Sequence, residues 1–370
     1  MTRASLSHAA LRRIVPALVD VELRRLGRRG AGRLRDMHEL DSLERLGAMA
    51  LLGEAFELDD PADGPGDAGT TEDWVAFVAS RRPSRIVVRT SGSTGTPRAC
   101  PHEVADLLDE ARFFAGRFPG CRRVVALVPA HHLYGLIWTA LLPDLLGVPV
   151  VQAEAGAMPS LRAGDLIVAV PDQWAALGRM RRTWTPGIMG ASSAGALPDA
   201  VADTLMAQGL SRLVEIYGAS ETGGIGLRDV PETGFELLPR WRLMPGGTGI
   251  ATRDGRVMAL PDDVRHLASG RIAPAGRHDD AVKVGGHLVY PRRVAAFVKD
   301  VAGVEDAAVR LGADGRLKAF VVPSGDTTLD DLEARLSDAV GTLDPPERPA
   351  DIRYGSVVPK SSMGKEMDWS

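Results

Sequence analysis

A run of hydroxyl residues and glycines follows the apolar segment 86–88 and is the first place in the chain where chemistry can be expected. Glycine lets the backbone approach an anion closely, and hydroxyl and amide groups donate hydrogen bonds to phosphate oxygens. The Gly-Lys-Ser/Thr ending of a Walker loop is absent, which argues against a P-loop; a flexible Ser/Gly turn is the alternative. The candidate phosphate ligands are Thr90, Ser91, Gly92, Ser93, Thr94, Gly95 and Arg98.

A second candidate site follows the apolar segment 213–216 and has the sequence Tyr-Gly-Ala-Ser-Glu-Thr. A carboxylate in a loop beside bound phosphates could hold Mg²⁺, because this ion prefers one or two carboxylates together with substrate oxygens. A solvated loop glutamate is the alternative. The candidate residues are Tyr217, Gly218, Ser220 and Glu221.

Two further motifs lie towards the end of the chain. Residues 276–287 read Gly-Arg-His-Asp-Asp-Ala-Val-Lys-Val-Gly-Gly-His, and residues 359–365 read Pro-Lys-Ser-Ser-Met-Gly-Lys. A charged linker and a basic tail are the alternatives. The chain has five lysines against 39 arginines, and three of the five lie in these motifs. A lysine kept in an arginine-rich chain indicates a need for a compact ammonium group.

Taken in order, the four motifs resemble the signature of the adenylate-forming superfamily of acyl- and aryl-CoA synthetases, nonribosomal-peptide adenylation domains and firefly luciferase. That signature has a Ser/Thr/Gly loop ending in Pro-Lys, then Tyr-Gly-x-Thr-Glu, Gly-Arg-x-Asp-Asp-x-(Ile/Val)-Lys-x-x-Gly and Pro-Lys-(Thr/Ser)-x-x-Gly-Lys. The resemblance covers residues 84–368. It implies an α/β fold with a large core domain of mainly parallel sheets and a small α+β C-terminal lid domain.

The resemblance also implies an activity. A carboxylic acid would be activated by ATP as an acyl-adenylate with release of pyrophosphate, and then passed to the phosphopantetheine thiol of CoA or of an acyl carrier protein. Loop 91–98 would contact the β- and γ-phosphates of ATP, Tyr217 would stack near the adenine, and Glu221 would bind Mg²⁺. Asp262 and Arg277 would contact the ribose.

Further site residues follow from the same resemblance. Lys365 would be the catalytic lysine, and His132, in a His-x-x-Gly segment, would lie beside the carboxylate pocket. Residues 192–197 resemble the Ser-Gly-Gly-Ala-Pro-Leu stretch of the superfamily. Asp279 matches its interdomain hinge. The pantetheine tunnel would be lined by Gly285 and Gly286, in the motif that also holds Lys283.

The chain departs from the signature at several positions. Arg98 replaces the loop lysine, Ser220 replaces a threonine, and Leu288 stands where many relatives have arginine. The region before the phosphate loop is also short. These departures leave open a catalytically silent protein that binds nucleotide or docks a carrier protein, although Glu221 and Lys365 argue against it.

The elements that must position these residues can be predicted from periodicity. Short β-branched runs alternate with helix-length segments from residue 84, which predicts a largely parallel sheet. Residues 1–82 should be helical, with Pro16 bending or interrupting the first helix and Asp41 capping the second in a capping box with Glu44. We therefore predict a helical segment over residues 1–82, an adenylation core over 83–278 and a lid domain over 279–370.

The N-terminal segment has a resemblance of its own. Asp41-Ser42-Leu43 at the start of a helix is similar to an acyl carrier protein, in which that serine carries phosphopantetheine; an ordinary capped helix is the alternative. In its organisation the chain is similar to short adenylating enzymes of aryl polyene and xanthomonadin-type pigment pathways. That similarity implies an aromatic acid as substrate, with a fatty acid as the alternative.

The composition excludes several classes of partner and location. The 370 residues, with 45% hydrophobic and 25% charged, are typical of a folded protein of two or three domains. A net charge of −4 gives no reason to expect nucleic acid or an anionic membrane as partner. No apolar run reaches the roughly 18 residues of a membrane helix, and we expect a cytoplasmic protein. Two cysteines are too few for a disulfide framework.

Overall fold

The computed structural model describes residues 4–27, 36–58, 64–65, 69–90, 98–180, 183–244, 249–260, 262–277, 281–325, 327–359 and 369. The chain divides into two compact units. The first comprises residues 1–90, 99–260 and 264–273, and the second comprises 91–98, 261–263 and 274–370. Within the described residues, no helix combines the length and the apolar character needed to cross a membrane.

Three helices form the N-terminal part of the first unit: α1 (His8–Arg25), α2 (Ser42–Phe56) and α3 (Thr71–Arg81). The predicted capping box is confirmed, because the side chain of Asp41 accepts from Glu44 N and that of Glu44 accepts from Asp41 N. Of the two effects predicted for Pro16, a bend or an interruption, the interruption is wrong, since α1 continues to Arg25 with Pro16 inside it. Burial of a whole apolar face of α1 offsets the backbone hydrogen bond that proline removes.

A seven-stranded sheet, in the order β4-β3-β5-β6-β7-β8-β9, forms the centre of the first unit. Neighbouring strands from β4 to β7 are parallel, while β8 and β9 continue the sheet antiparallel. This confirms the predicted α/β class. The strands are β3 (Arg123–Ala126), β4 (Val150–Gln152), β5 (Asp165–Ala169), β6 (Met189–Ser192), β7 (Arg212–Ala219), β8 (Gly223–Asp229) and β9 (Glu236–Leu237).

Both faces of this sheet are buried, which explains why its strands are runs of apolar residues rather than alternating patterns. Val124 and Leu166 belong to a core cluster that also contains the apolar faces of α1, α2 and α3. Val125 and Ile167, the next residues on the same strands, belong to a second cluster. The N-terminal helices therefore share one hydrophobic core with the sheet.

The helices and remaining strands of the first unit complete these layers. The helices are α4 (Val104–Arg117), α5 (Leu133–Leu136), a π-helical turn (Ile137–Leu141), α6 (Leu142–Leu146), α7 (Pro171–Met180) and α8 (Asp199–Ala207). A two-stranded sheet is formed by β1 (Arg85–Thr90) and β2 (Arg98–Glu103), and a three-stranded one by β10 (Trp241–Leu243), β11 (Gly249–Thr252) and β12 (Val257–Ala259). A ribbon of β13 (Asp262–His266) and β14 (Ile272–Arg277) follows, and its residues are divided between the two units.

The second unit is a small α+β arrangement. A hairpin of β15 (Val282–Val284) and β16 (His287–Val289) precedes α9 (Pro291–Lys299). Strands β17 (Val304–Leu311) and β18 (Leu317–Pro323) are antiparallel, and β19 (Asp351–Tyr354) runs parallel to β18 beyond α10 (Leu329–Gly341). This arrangement has its own core, in which helix residues Val294 and Leu336 pack with strand residues such as Val321.

Candidate active site

The carboxyl ends of the parallel strands β3, β5, β6 and β7 lie along one edge of the large sheet, which is where ligands bind in sheets of this kind. Three of the sequence segments that we singled out follow these strands. The His-x-x-Gly segment follows β3, residues 192–197 begin at the end of β6, and the Tyr-Gly-Ala-Ser-Glu-Thr motif spans the end of β7. The topology thus collects these motifs at one edge.

The turn that connects β7 to β8 places Glu221 at an exposed position. Tyr217 lies on β7 with its ring 5.6 Å from that of Phe235, and Gly218 pairs with Gly224 across the two strands. Thr222 is buried, and its hydroxyl accepts from Ala219 N at 3.2 Å. This hydrogen bond stabilises the turn on its buried side.

The donor set around Glu221 fits a magnesium ion that shares its ligands with a substrate. Within the described part of the chain, no three His, Cys, Asp or Glu side chains form a cluster that could hold a metal on their own. Mg²⁺ is bound in many phosphate sites by only one or two carboxylates, with phosphate oxygens and water completing the octahedron. A single exposed carboxylate at this edge is compatible with that mode.

Ser192, the last residue of β6, contributes an orphaned polar atom to the same edge. Its side chain is completely buried, and Oγ has no hydrogen-bond partner among the described residues. Ser192 is aligned with Ala169 of β5 on one side and with Glu215 of β7 on the other. A buried hydroxyl without a protein partner fits a site that receives a polar ligand atom.

The His-x-x-Gly segment forms the start of α5. His132 is exposed at the N-cap position, and its ring lies 4.1 Å from the ring of His131. A Cβ atom at Gly135 would overlap the carbonyl oxygen of Pro129, so only glycine fits there. The hydroxyl of Tyr134 donates to Ala191 O at 2.8 Å, and burial raises the pKa of this phenol. This bond links the segment to β6.

The ribose ligands implied by the resemblance lie on the β13–β14 ribbon. Asp262 is the first residue of β13 and Arg277 the last residue of β14. Because the turn of the ribbon is at residues 267–271, both residues lie at the end away from the turn. The backbone therefore places them near each other; the side chain of Arg277 lies outside the described residues.

The second unit contains Lys283, Gly285 and Gly286 in the β15–β16 hairpin. Lys283 pairs with Leu288 across the hairpin, and the two glycines form its turn with φ of +57° and +83°. Two consecutive positive φ values are typical of the tight turns that match the twist of a hairpin. The Gly-Gly pair thus has a backbone role in addition to the tunnel role that the resemblance implies.

Several predicted site residues lie outside the described residues. They are Ser91, Gly92, Ser93, Thr94 and Gly95 of the phosphate loop, the hinge residue Asp279 and the lysine Lys365. Thr90 and Arg98 are described only by their backbone, at the end of β1 and the start of β2. The roles of these residues stay predictions.

Sequence reasoning missed three buried side chains beside the Glu221 turn. His102 Nε2 lies 2.7 Å from Ser220 O, Glu110 Oε1 accepts from Gly224 N at 2.9 Å, and Trp241 Nε1 donates to Gly224 O at 2.6 Å. Burial lowers the pKa of His102 and raises the pKa of Glu110 to about 7. His102 on β2 and Glu110 on α4 lie among other charged residues of these elements, and no local pattern connects them to residue 221.

A family model described as "AMP-binding enzyme" matches residues 67–263. The chain belongs to the AMP-binding enzyme family. It is 40% identical to a 4-coumarate–CoA ligase of Rhodobacter capsulatus over 349 residues, which cover 89% of each chain. It is 36% identical to a 4-coumarate–CoA ligase of Halorhodospira halophila, with 88% of this chain and 87% of the relative covered.

Solved structures agree on the fold of this family member. An o-succinylbenzoate CoA synthetase from Bacillus subtilis superposes with a TM-score of 0.61 at 17% identity, over 76% of this chain and 67% of that one. A malonyl-CoA ligase superposes with a TM-score of 0.58 at 23% identity, over 74% and 71%. The predicted superfamily, the α/β fold and the enzyme class, an AMP-forming acid–thiol ligase, are confirmed.

Proposed function

We propose that the protein activates an aromatic carboxylic acid with ATP and transfers the acyl group to the thiol of CoA. The observation that carries this proposal is similarity over nearly the whole chain to 4-coumarate–CoA ligases, at 40% and 36% identity. A probable 2-succinylbenzoate–CoA ligase of Mycobacterium tuberculosis, 30% identical over 76% of this chain, also has an aromatic acid in its name. The substrate class inferred from the pigment-type resemblance agrees with these names.

In the first half-reaction, a carboxylate oxygen of the acid attacks the α-phosphorus of ATP, and the bond to the pyrophosphate oxygen breaks. Both reactants are anions, so the site must offset negative charge. Bound Mg²⁺ would supply Lewis-acid stabilisation of the phosphates. Glu221 would hold that ion, Lys365 would donate to the developing charge, and Asp262 with Arg277 would orient the ribose.

In the second half-reaction, the thiolate of the acceptor attacks the acyl carbon, and AMP leaves with the electron pair of the broken C–O bond. The resemblance implies that residues 279–370 act as a lid which turns about Asp279 between the half-reactions and brings Gly285 and Gly286 to the thiol arm. An acyl carrier protein could present the same arm. CoA is proposed as the acceptor because it is the one named in the relatives.

The proposal is tested by ATP–pyrophosphate exchange with a panel of acids, namely 4-coumarate, other cinnamates, benzoates and medium-chain fatty acids. We expect exchange with at least one aromatic acid and then formation of its CoA thioester. Exchange with fatty acids alone would contradict the substrate class, and exchange with no acid would indicate a silent nucleotide-binding protein. Offering a phosphopantetheinylated carrier protein in place of CoA decides between the two acceptors.

A further inference from the structure

The turn that carries Glu221 is fixed at its N-terminal side by a histidine from a distant part of the chain. His102 on β2 is 7% exposed, and its Nε2 lies 2.7 Å from the carbonyl oxygen of Ser220. A carbonyl can only accept, so Nε2 must carry the hydrogen. Burial lowers the pKa of the imidazole, so the ring is neutral and in the Nε2–H form at neutral pH.

A second pair of side chains fixes the C-terminal side of the turn. Glu110 on α4 is 2% exposed and accepts from Gly224 N, while Trp241 on β10 donates to Gly224 O. A Cβ atom at Gly223 would lie 2.7 Å from Oε2 of Glu110, and one at Gly224 would lie 2.5 Å from Oε1. A side chain at either position would therefore displace this carboxyl group, and the φ of +75° at Gly223 disfavours a side chain in its own right.

Charged groups contact Glu110 and the neighbouring Asp106. Arg240 contacts both Glu110 and Asp106 at 3.4 Å, and Arg256 contacts Asp106 at 2.6 Å. Asp106 and Glu110 are four residues apart and share one face of α4. The turn is thus tied to a network on α4 that lies outside the sequence motif.

We propose that His102 and Glu110 are positioning residues that set the location of the Glu221 carboxylate for a magnesium–nucleotide complex. This inference rests on the proposed function. Their hydrogen bonds hold the backbone at Ser220 and at Gly224, on either side of Glu221. The side chain of Glu221 is exposed, so burial does not fix its position. Partners that orient a metal ligand contribute to metal affinity without touching the metal.

The test compares two substitutions of His102. His102→Met removes the donor to Ser220 O, whereas His102→Gln keeps an N–H near the position of Nε2. We measure equilibrium binding of a fluorescent ATP analogue with Mg²⁺ and, separately, with EDTA. His102→Met should weaken binding with Mg²⁺ about tenfold and leave binding in EDTA unchanged, and His102→Gln should restore most of the loss.

A matched control is available at the C-terminal end of α8. Gln208 donates through Nε2 to the carbonyl oxygen of Gly178 at 2.8 Å, a bond of nearly the same length that joins the ends of α7 and α8 and holds neither Ser220 nor Gly224. Gln208→Met should leave binding with Mg²⁺ unchanged. Glu110→Met removes the acceptor at the other end of the turn and should show the same magnesium-specific loss as His102→Met.

The outcomes separate this inference from the proposed function. If the unchanged protein binds no nucleotide with Mg²⁺, the proposed function fails. If it binds and Glu221→Gln weakens binding while His102→Met does not, the function stands and the positioning inference is overturned. Equal losses with Mg²⁺ and in EDTA, or no rescue by His102→Gln, would show that His102 only supports the fold, and would also overturn it.

Discussion

Replacement of the buried Glu110 by glutamine should change how the stability of the first unit depends on pH. Burial raises the pKa of this carboxyl group from its ordinary value of 4.5 to about 7, and the opposing effect of Arg240 is smaller. Between pH 4.5 and pH 7 the folded protein therefore holds a proton that the unfolded chain has released. Stability contributed by this proton is present below pH 4.5 and is lost as the pH rises through 7.

The size of the effect follows from these two pKa values. The free energy of unfolding should fall by about 1.4 kcal/mol per pH unit inside the window, which sums to about 2.5 kcal/mol between pH 5 and pH 8. Glu110→Gln has no proton to lose, so relative to the unchanged protein it should gain about 2.5 kcal/mol over the same interval. Any cost of placing an amide beside Arg240 is the same at both pH values and cancels.

The assay is urea unfolding of both proteins at pH 5 and pH 8, followed by tryptophan fluorescence. For a slope of about 2–3 kcal/mol per molar urea, the difference in midpoint between variant and unchanged protein should move by about 1 M. Glu39→Gln, an exposed position, serves as the control and should give the same difference at both pH values. A Glu110→Gln difference that does not change with pH would refute the reasoning, because the carboxyl group would then not titrate in this window.

Three further outcomes are expected. Lys365→Ala should slow pyrophosphate exchange by about 10²-fold with no change in the urea midpoint, as expected for loss of a group that stabilises developing charge; exchange near the original rate would exclude the role. Glu221→Gln should raise the Mg²⁺ concentration needed for half-maximal exchange about tenfold, and an unchanged titration would remove Glu221 from the metal site. Gly286→Val should destabilise the β15–β16 hairpin by about 1–2 kcal/mol, because a φ of +83° disfavours a side chain. Amide hydrogen exchange measures this loss, and Gly286→Asn should be tolerated.

Most of the fold could be predicted because its signals are local. The apolar runs that became β3, β5 and β7 bury both sheet faces, and the capping pattern at Asp41 and Glu44 needs only neighbouring residues. The interruption predicted at Pro16 was wrong because the effect of proline is local, while the burial that keeps α1 continuous comes from other elements. The antiparallel strand β8 has three glycines in seven residues and gave no strand signal.

In the candidate site, too, the residues in local motifs could be predicted, and those that act through distant contacts could not. Glu221 and His132 lie in short motifs that can be read along the chain. His102 and Glu110 act on backbone atoms 118 and 114 residues away, and no sequence spacing reports such a contact. The Gly223-Gly224 pair is an indirect sequence signal of this contact. A side chain at either glycine would come too close to the carboxyl group of Glu110.

The position of Glu110 connects the stability prediction with the positioning inference. A carboxyl group buried beside the turn lowers stability at pH 8 relative to a neutral side chain, yet it supplies the acceptor for Gly224 N. Sites that hold functional groups in place often carry such costs in stability. Glu110→Gln removes the charge and keeps an acceptor. Relative to the unchanged protein, it should therefore be more stable at pH 8 than at pH 5, and it should retain magnesium-dependent nucleotide binding. Glu110→Met removes both and should weaken magnesium-dependent binding about tenfold even where it gains stability. If the two variants bind nucleotide equally well, the carboxyl group serves the packing of α4 and not the turn.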